Sequence, residues 1–395
     1  MKEIVPGAPP AEGVIPLAVP DLGDEERRLV DDSLHSGWIA YGPYVDRFEE
    51  DVAKLLGAQH VVAVGSGTAA LHLALLVAGV QPDEEVIVST LSFISPAFAI
   101  RYCNARPVFM DAEPAYWQID VEKLEAFLRE ETERRDAGLF NKRTGRRIAA
   151  LLPVGILGHP FDADPIRALA TEYGLPIVED AAETLNATYK DRHAGTLGDL
   201  SALSFNGNKI ITCGGGGMVV TNDAGHAARI RYLATQSKDD PLEYVHGELG
   251  FNYRLANPLA AIGVAQMQRL DEFTEKKRAI FYAYRDELSG VPGVSFQQEA
   301  DWARSTFWLA SIRIDASQFG MDSRTLMHAL LDARIQVRPF WQALHESPSM
   351  RGTQAYRCDV APALVAESLM LPCSVGLSEG DQARVIETIS RLQSS

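Results

Sequence analysis

The chain has 395 residues, 46% of them hydrophobic and 23% charged, and 53 acidic against 37 basic side chains give a formal charge of −16. This composition suits a globular protein with one large and one smaller domain, and excludes a disordered, collagenous or coiled-coil chain. So acidic a balance also argues against nucleic acid or an anionic membrane as partner, although a pocket can still gather cations and backbone N–H groups around a small anion.

Residues 1–20 are rich in proline, lack a continuous apolar run and read as a loose arm without a signal peptide or membrane span. From 21 to 270 short apolar runs (60–64, 85–89, 107–110, 148–154, 176–178, 201–205, 218–221) alternate with amphipathic stretches such as 68–77, 121–129 and 165–173. That alternation predicts an α/β fold, with a mostly parallel sheet, helices on both faces and right-handed crossovers. Ligands of such sheets bind at the carboxyl ends of the strands. Residues 128–147 form a charged interruption with a turn near Asp136-Ala137-Gly138, expected as a solvated excursion. Residues 259–288 predict one long helix leading into a smaller C-terminal α/β domain, 271–395, with strands at 306–314 and 335–339 and helices at 323–333 and 378–392. Cys103, Cys213, Cys358 and Cys373 show no CxxC pairing. They read as reduced thiols of a cytoplasmic protein, in which the Asn186-Ala187-Thr188 sequon has no use, and no metal site is expected.

Three motifs carry chemistry. In the first, a strand runs into Gly65-Ser66-Gly67-Thr68 and then a helix, whose free N–H groups and positive dipole end make a phosphate cradle. Gly65–Ala70 also fits G-x-G-x-x-A, so an NAD(P)-dependent reductase is an alternative. That reading needs an acid ending the second strand, and here the strand ends in Ser89-Thr90. The second motif, PIVEDAAE, delivers Asp180 at a strand end, where a carboxylate needs a cationic partner such as a protonated pyridine nitrogen. In the third, a strand ends at Ser204-Phe205, an Asn206-Gly207 pair suits a turn with positive φ, and Lys209 follows just before four glycines. Desolvation there would make Lys209 a Schiff-base nucleophile. A phosphate cradle, a strand-end carboxylate and a turn lysine are together what pyridoxal 5'-phosphate requires. A non-catalytic cofactor-binding protein would keep the same residues.

These motifs, with Ser36-Gly37-Trp38, the stretches 41–48 and 66–71, and residues 250–254, resemble the DegT/DnrJ/EryC1/StrS family of pyridoxal phosphate-dependent nucleotide-sugar aminotransferases, of fold type I. Within it the stretches GILGHPFDADP, SFNGNKIIT and FNYRLAN are most similar to the LegC group. The resemblance implies that residues 21–270 form the cofactor-binding domain. Gly67, Thr68 and Ser204 would hold the phosphate, Phe93 would stack on the ring, and Asp180 would pair with its nitrogen. Lys209 would hold the cofactor and then move protons. Glu183 stands where many members carry Gln or His, and would touch the ring hydroxyl or the substrate. Asn252 would reach the phosphate of the partner subunit, which implies a homodimer. Lys209 also argues against the subgroup that has histidine there and dehydrates its sugar. Cys213 stands where similar sequences have Thr. Trp38, Tyr41, His159 and Arg338 are candidate substrate contacts. The implied substrate is a nucleotide-linked 4-keto-6-deoxy sugar, in the LegC group a UDP- or GDP-linked 4-keto-6-deoxy-N-acetylglucosamine, with glutamate as donor; another 3- or 4-keto sugar, of the perosamine type, is the alternative. Two anionic ligands in an acidic chain predict binding mainly through helix N-terminal amides near Gly67 and a few placed cations, in a locally positive pocket of an acidic dimer.

Overall fold

The strands of the large sheet owe their burial to a period of two. In Glu85–Ser89, Val86 and Val88 join one apolar cluster while Ile87 joins the other. In Arg106–Met110, Phe109 faces the first, and Val108 and Met110 the second. Both faces are therefore covered, as in parallel sheets generally. The computed structural model describes residues 12–240 and 242–393.

Strands His60–Val64, Gly217–Thr221, Leu200–Ser204 and Val178–Asp180 lie side by side in that order, and a second set runs Ile148–Leu152, Glu85–Ser89, Arg106–Met110, Gln354–Tyr356. Isolated bridges between Leu151 and Ile177 and between Val154 and Asp180 stitch the two sets into one layer. All neighbours pair in parallel except at Gly217–Thr221, which is antiparallel to both of its partners. Helices Gly67–Val77, Ser95–Tyr102 and Ala224–Ala234 pack on one face, and Val121–Glu130 and Ala163–Tyr173 on the other. A smaller antiparallel sheet, Val294–Phe296, Ser311–Ile314, Ser368–Met370 and Arg338–Pro339, is backed by helices Leu270–Leu288, Ser323–Asp332 and Glu379–Gln393. No helix among the described residues is long and apolar enough to cross a membrane.

Four local expectations change. Residues 1–11 of the expected loose arm lie outside the described residues, and the part from Ile15 is fastened down. Ile15 is buried, its N–H donates to the Arg334 carbonyl, and the Leu17 carbonyl accepts from Cys373 N–H. The charged interruption is a hairpin, Thr132–Arg135 with Gly138–Asn141, that buries Leu139 and Asn141. Asn141 Nδ2 donates to Glu85 Oε2 and to Gln354 Oε1, both at 2.8 Å, so charge on the outer positions hid an anchoring inner face. The single long helix is two, Asn257–Met267 and Leu270–Leu288. Arg269 leaves helical geometry (φ −111°, ψ 6°) with its guanidinium bonded to Asp21 and Glu272. Finally, Gln354–Tyr356 returns from the C-terminal part of the chain to edge the large sheet.

Candidate active site

The cradle forms because Ser66 is an N-cap. Its Oγ accepts the Ala69 N–H at 3.1 Å, and its backbone is extended. The helix from Gly67 is apolar almost throughout, so tertiary packing rather than an exposed polar face keeps its N-terminus aimed at the strand ends. Gly67 is required by space. A Cβ there would meet Ser204 Cβ at 2.8 Å. Gly217 is pressed in the same way, since its Cβ would lie 2.5 Å from the Ser66 carbonyl carbon. Thr68 Oγ1 donates to Ser95 Oγ at 3.1 Å, which brings a second helix start to the same spot.

Strand Val178–Asp180 ends on the fully buried Asp180, whose Oδ1 accepts the Ala182 N–H at 3.0 Å. Burial pushes its carboxyl up to about 6, against the pull of that N–H and of Lys209. Three residues on, Glu183 Oε2 accepts the Leu157 N–H at 2.8 Å, and burial lifts this carboxyl to about 7. Lys209 closes a turn in which its N–H donates to the Asn206 carbonyl at 3.0 Å. Neither Asn206 nor Gly207 takes the positive φ expected of the pair. The Lys209 side chain is 13% exposed, its Nζ stands 3.8 Å from Glu183 Oε1, and burial lowers its pKa.

Gly67, Thr68, Phe93, Asp180, Glu183, Ser204 and Lys209 all line one cavity of about 320 Å³ at the carboxyl ends of the strands. Three lining residues carried no signal in the sequence: Ser95, Trp308 and Trp341. Trp308 places its ring over Lys209 Nζ, 3.9 Å from the centroid, and stacks near Trp341, which meets Phe93 edge-on. A tryptophan in a buried strand run is ordinary core, so nothing local marks it.

The other expectations fare differently. Asn252 is exposed and does not line this cavity. Trp38 is 71% exposed outside it, and Tyr41 hydrogen-bonds Asp46 beside a separate cavity of about 280 Å³. His159 is no pocket residue. It is fully buried, with Nδ1 on the Pro160 carbonyl and Nε2 accepting the Ala300 N–H, so both ring nitrogens are spent on the fold. Arg338 bonds the carbonyl of its own neighbour Val337 and stands outside the cavity. Cys213 is buried with Sγ on the Gly215 carbonyl, which suits a small packing residue. Among the described residues the cavity holds one cation, Lys209, against two carboxylates, so an anion there relies on hydroxyls and the helix N-terminus.

Residues 20–390 match the family model described as the DegT/DnrJ/EryC1/StrS aminotransferase family. The chain belongs to that family. Among its relatives, EpsN of Bacillus subtilis (strain 168), whose name describes a pyridoxal phosphate-dependent aminotransferase, is 37% identical over 95% of this chain and 95% of its own. A GDP-perosamine synthase of Caulobacter vibrioides is 35% identical over 96% of this chain and 98% of its own. The crystal structure of the aminotransferase TlmJ from Streptoalloteichus hindustanus superposes with a TM-score of 0.87 at 29% identity, covering 97% of this chain and 99% of that one. The aminotransferase is thus a pyridoxal phosphate-dependent enzyme of fold type I, and the reductase alternative falls away. The chemistry of the donor set fits this cofactor: a buried amine for its aldehyde, a buried carboxylate for its ring nitrogen, and hydroxyls at a helix start for its phosphate.

Proposed function

We propose that this aminotransferase moves an amino group from an amino acid, glutamate being the donor, to the C4 ketone of a nucleotide-linked 4-keto-6-deoxy sugar, and that it works as a homodimer. The observation that supports this most is the convergence of Lys209, Asp180 and the Gly67–Thr68 turn on one cavity. Bound there, pyridoxal phosphate supplies an electron sink and a carrier for the amine. Thr68, Ser95, Ser204 and the helix N–H groups hold the phosphate. Asp180, costly as an unpaired buried anion, keeps the ring nitrogen protonated. Phe93 stacks on the ring from the cavity rim. Lys209 would hold the cofactor through its amine and, as a free amine, would serve as the base that moves the proton at the donor Cα. Trp308 and Trp341 keep water from that amine. Asn252 of a second copy would reach the phosphate, and Trp38, Tyr41 and Arg338 are proposed as outer contacts for the nucleotide.

For the sugar, the LegC resemblance supports an N-acetylated C2 carrier. The kinship with a GDP-perosamine synthase supports a GDP-linked sugar of the perosamine series as second reading. Both share the C4 ketone. The test is absorbance. Protein loaded with pyridoxal phosphate shows a visible band that shifts on adding glutamate and is missing in Lys209→Ala. The amine-loaded enzyme is then mixed with each UDP- or GDP-linked 4-keto sugar, and the true acceptor restores the starting spectrum. A protein that stays colourless after reconstitution sinks the proposal.

A further inference from the structure

Two groups lie against the Lys209 amine, Glu183 Oε1 at 3.8 Å and the Trp308 ring centroid at 3.9 Å. One short loop sets both. Leu157 takes a left-handed φ of 58° and thereby turns its N–H onto Glu183 Oε2, which leaves Oε1 to the lysine. Such a φ is strained for a leucine and persists only where the surroundings enforce it. At the next residue, a Cβ on Gly158 (φ 92°) would lie 2.4 Å from Thr306 Oγ1 and 2.7 Å from Trp308 N. That close approach, with Thr306 N–H donating to the Gly158 carbonyl at 3.0 Å, seats Trp308. Its Nε1–H then donates to the Asn208 carbonyl, one residue before the lysine, at 2.6 Å, and its own carbonyl accepts from Lys277 Nζ at 2.9 Å.

The geometry points to Glu183 as the proton partner of the free Lys209 amine, a buried acid that takes the ammonium proton and returns it, while Trp308 walls off water. This rests on reading Lys209 as the cofactor lysine. In the step, one N–H bond of the ammonium breaks and one O–H bond forms on Glu183 Oε1. The pair passes from anion and cation to two neutral groups, and its net charge stays zero. A turn of the lysine stem closes the gap to the hydrogen-bonding range of about 2.7–3.2 Å. Burial helps from both ends, because it disfavours the charged form of the acid and of the amine alike. The other charges facing the pair are few. Asp180 favours the ammonium but is engaged by the Ala182 N–H and, in the loaded enzyme, by the ring nitrogen. Glu179, behind Asp180, is spent on Gly195, Leu197 and Gly198 N–H groups and Ser201. Lys277 lies beyond Trp308. Glu183 is left free to exchange, so the amine can become neutral without recourse to bulk water.

The test uses the apoprotein and the rate at which it captures added pyridoxal phosphate, followed by absorbance across pH, in wild type and Glu183→Gln. Gln is isosteric and keeps the Leu157 bond but cannot take the proton. Titrations of the cofactor itself are common to both proteins. Sharing predicts a plateau in the wild-type rate wherever the pair holds one proton, and in the variant a limb that falls about tenfold per pH unit without a plateau. It also predicts a protonated-carboxyl band in the infrared difference spectrum that Glu183→Gln abolishes. A purely structural Glu183 would lower the rate equally at every pH. Profiles of the same shape in both proteins, or an infrared band unchanged in the variant, overturn the inference. Wild-type protein that captures no cofactor at any pH is a different result, and overturns the reading of Lys209 itself.

Discussion

At the scale of single residues, the site consists of ionisable groups held where their charges are unwelcome. Asp180 shows the consequence for stability. Its carboxyl titrates near 6 in the fold, against 3.8 in the unfolded chain. Between those values the native state holds a proton that the unfolded state has lost, so stability falls as pH rises through that window. Above it the full cost of the buried carboxylate applies. Asp180→Asn, which keeps the acceptor for the Ala182 N–H, is therefore expected to raise the melting temperature of the apoprotein at pH 8 and to do so much less at pH 4. The same variant should bind pyridoxal phosphate more weakly. Thermal melts at the two pH values check this, and an equal difference at both would contradict it. The trade is between stability without the cofactor and function with it.

At the scale of elements, the charged hairpin is the instructive case. Its strands Thr132–Arg135 and Gly138–Asn141 look solvated because Glu133, Arg134 and Arg135 face outward. Yet Asn141 spans from Glu85 to Gln354 and so ties the hairpin to two separate strands of the large sheet. Asn141→Leu takes a donor from the buried side chains of Glu85, which keeps its bond to Thr144, and Gln354, at roughly 1–3 kcal/mol in all. A melting temperature several degrees lower is expected, with the visible band of the loaded enzyme unchanged, because the hairpin sits at the strand end opposite the cavity. Melts and absorbance on the same samples separate the two effects. The helix break at Arg269 teaches a similar lesson. Residues 259–288 keep a helical pattern throughout, and only the ion pairs of Arg269 with Asp21 and Glu272 reveal why the backbone departs there.

At the scale of the whole molecule, the described residues supply a cavity with a single cation, while Asn252 is exposed outside it. The proposed homodimer accounts for both facts, since a second copy would bring its own polar groups to the phosphate. Leu242, Tyr244, Val245 and Leu249 expose a further apolar surface near Asn252 in sequence, the kind of surface a subunit contact covers. Complementation tests this. Lys209→Ala and Asn252→Ala proteins should each be impaired alone, but mixed dimers should regain activity, because one of their sites has an intact lysine and an intact asparagine. No recovery on mixing and refolding together would count against shared sites.

Thr68, Asp180 and Lys209 were legible in the sequence because each lies within a few residues of a strand end, where local pattern alone sets the position. The alternation of apolar runs and helices likewise determined the α/β fold, since burial on two faces demands it. Ser95, Trp308 and Trp341 were not legible. Trp308 and Trp341 reach the cavity from segments remote in the chain, where nothing local marks a tryptophan, and Ser95, two residues beyond Phe93, carries no signal of its own. His159 was open to two readings from its strand-end position, site or structure, and packing uses both its nitrogens. The sequence by itself determined which chemistry the chain carries, because strand-to-turn geometry is local. Only the tertiary structure decided how the amine is held against Glu183 and Trp308, because that depends on the approach of residues 155–158 to residues 306–308 across about 150 positions of chain.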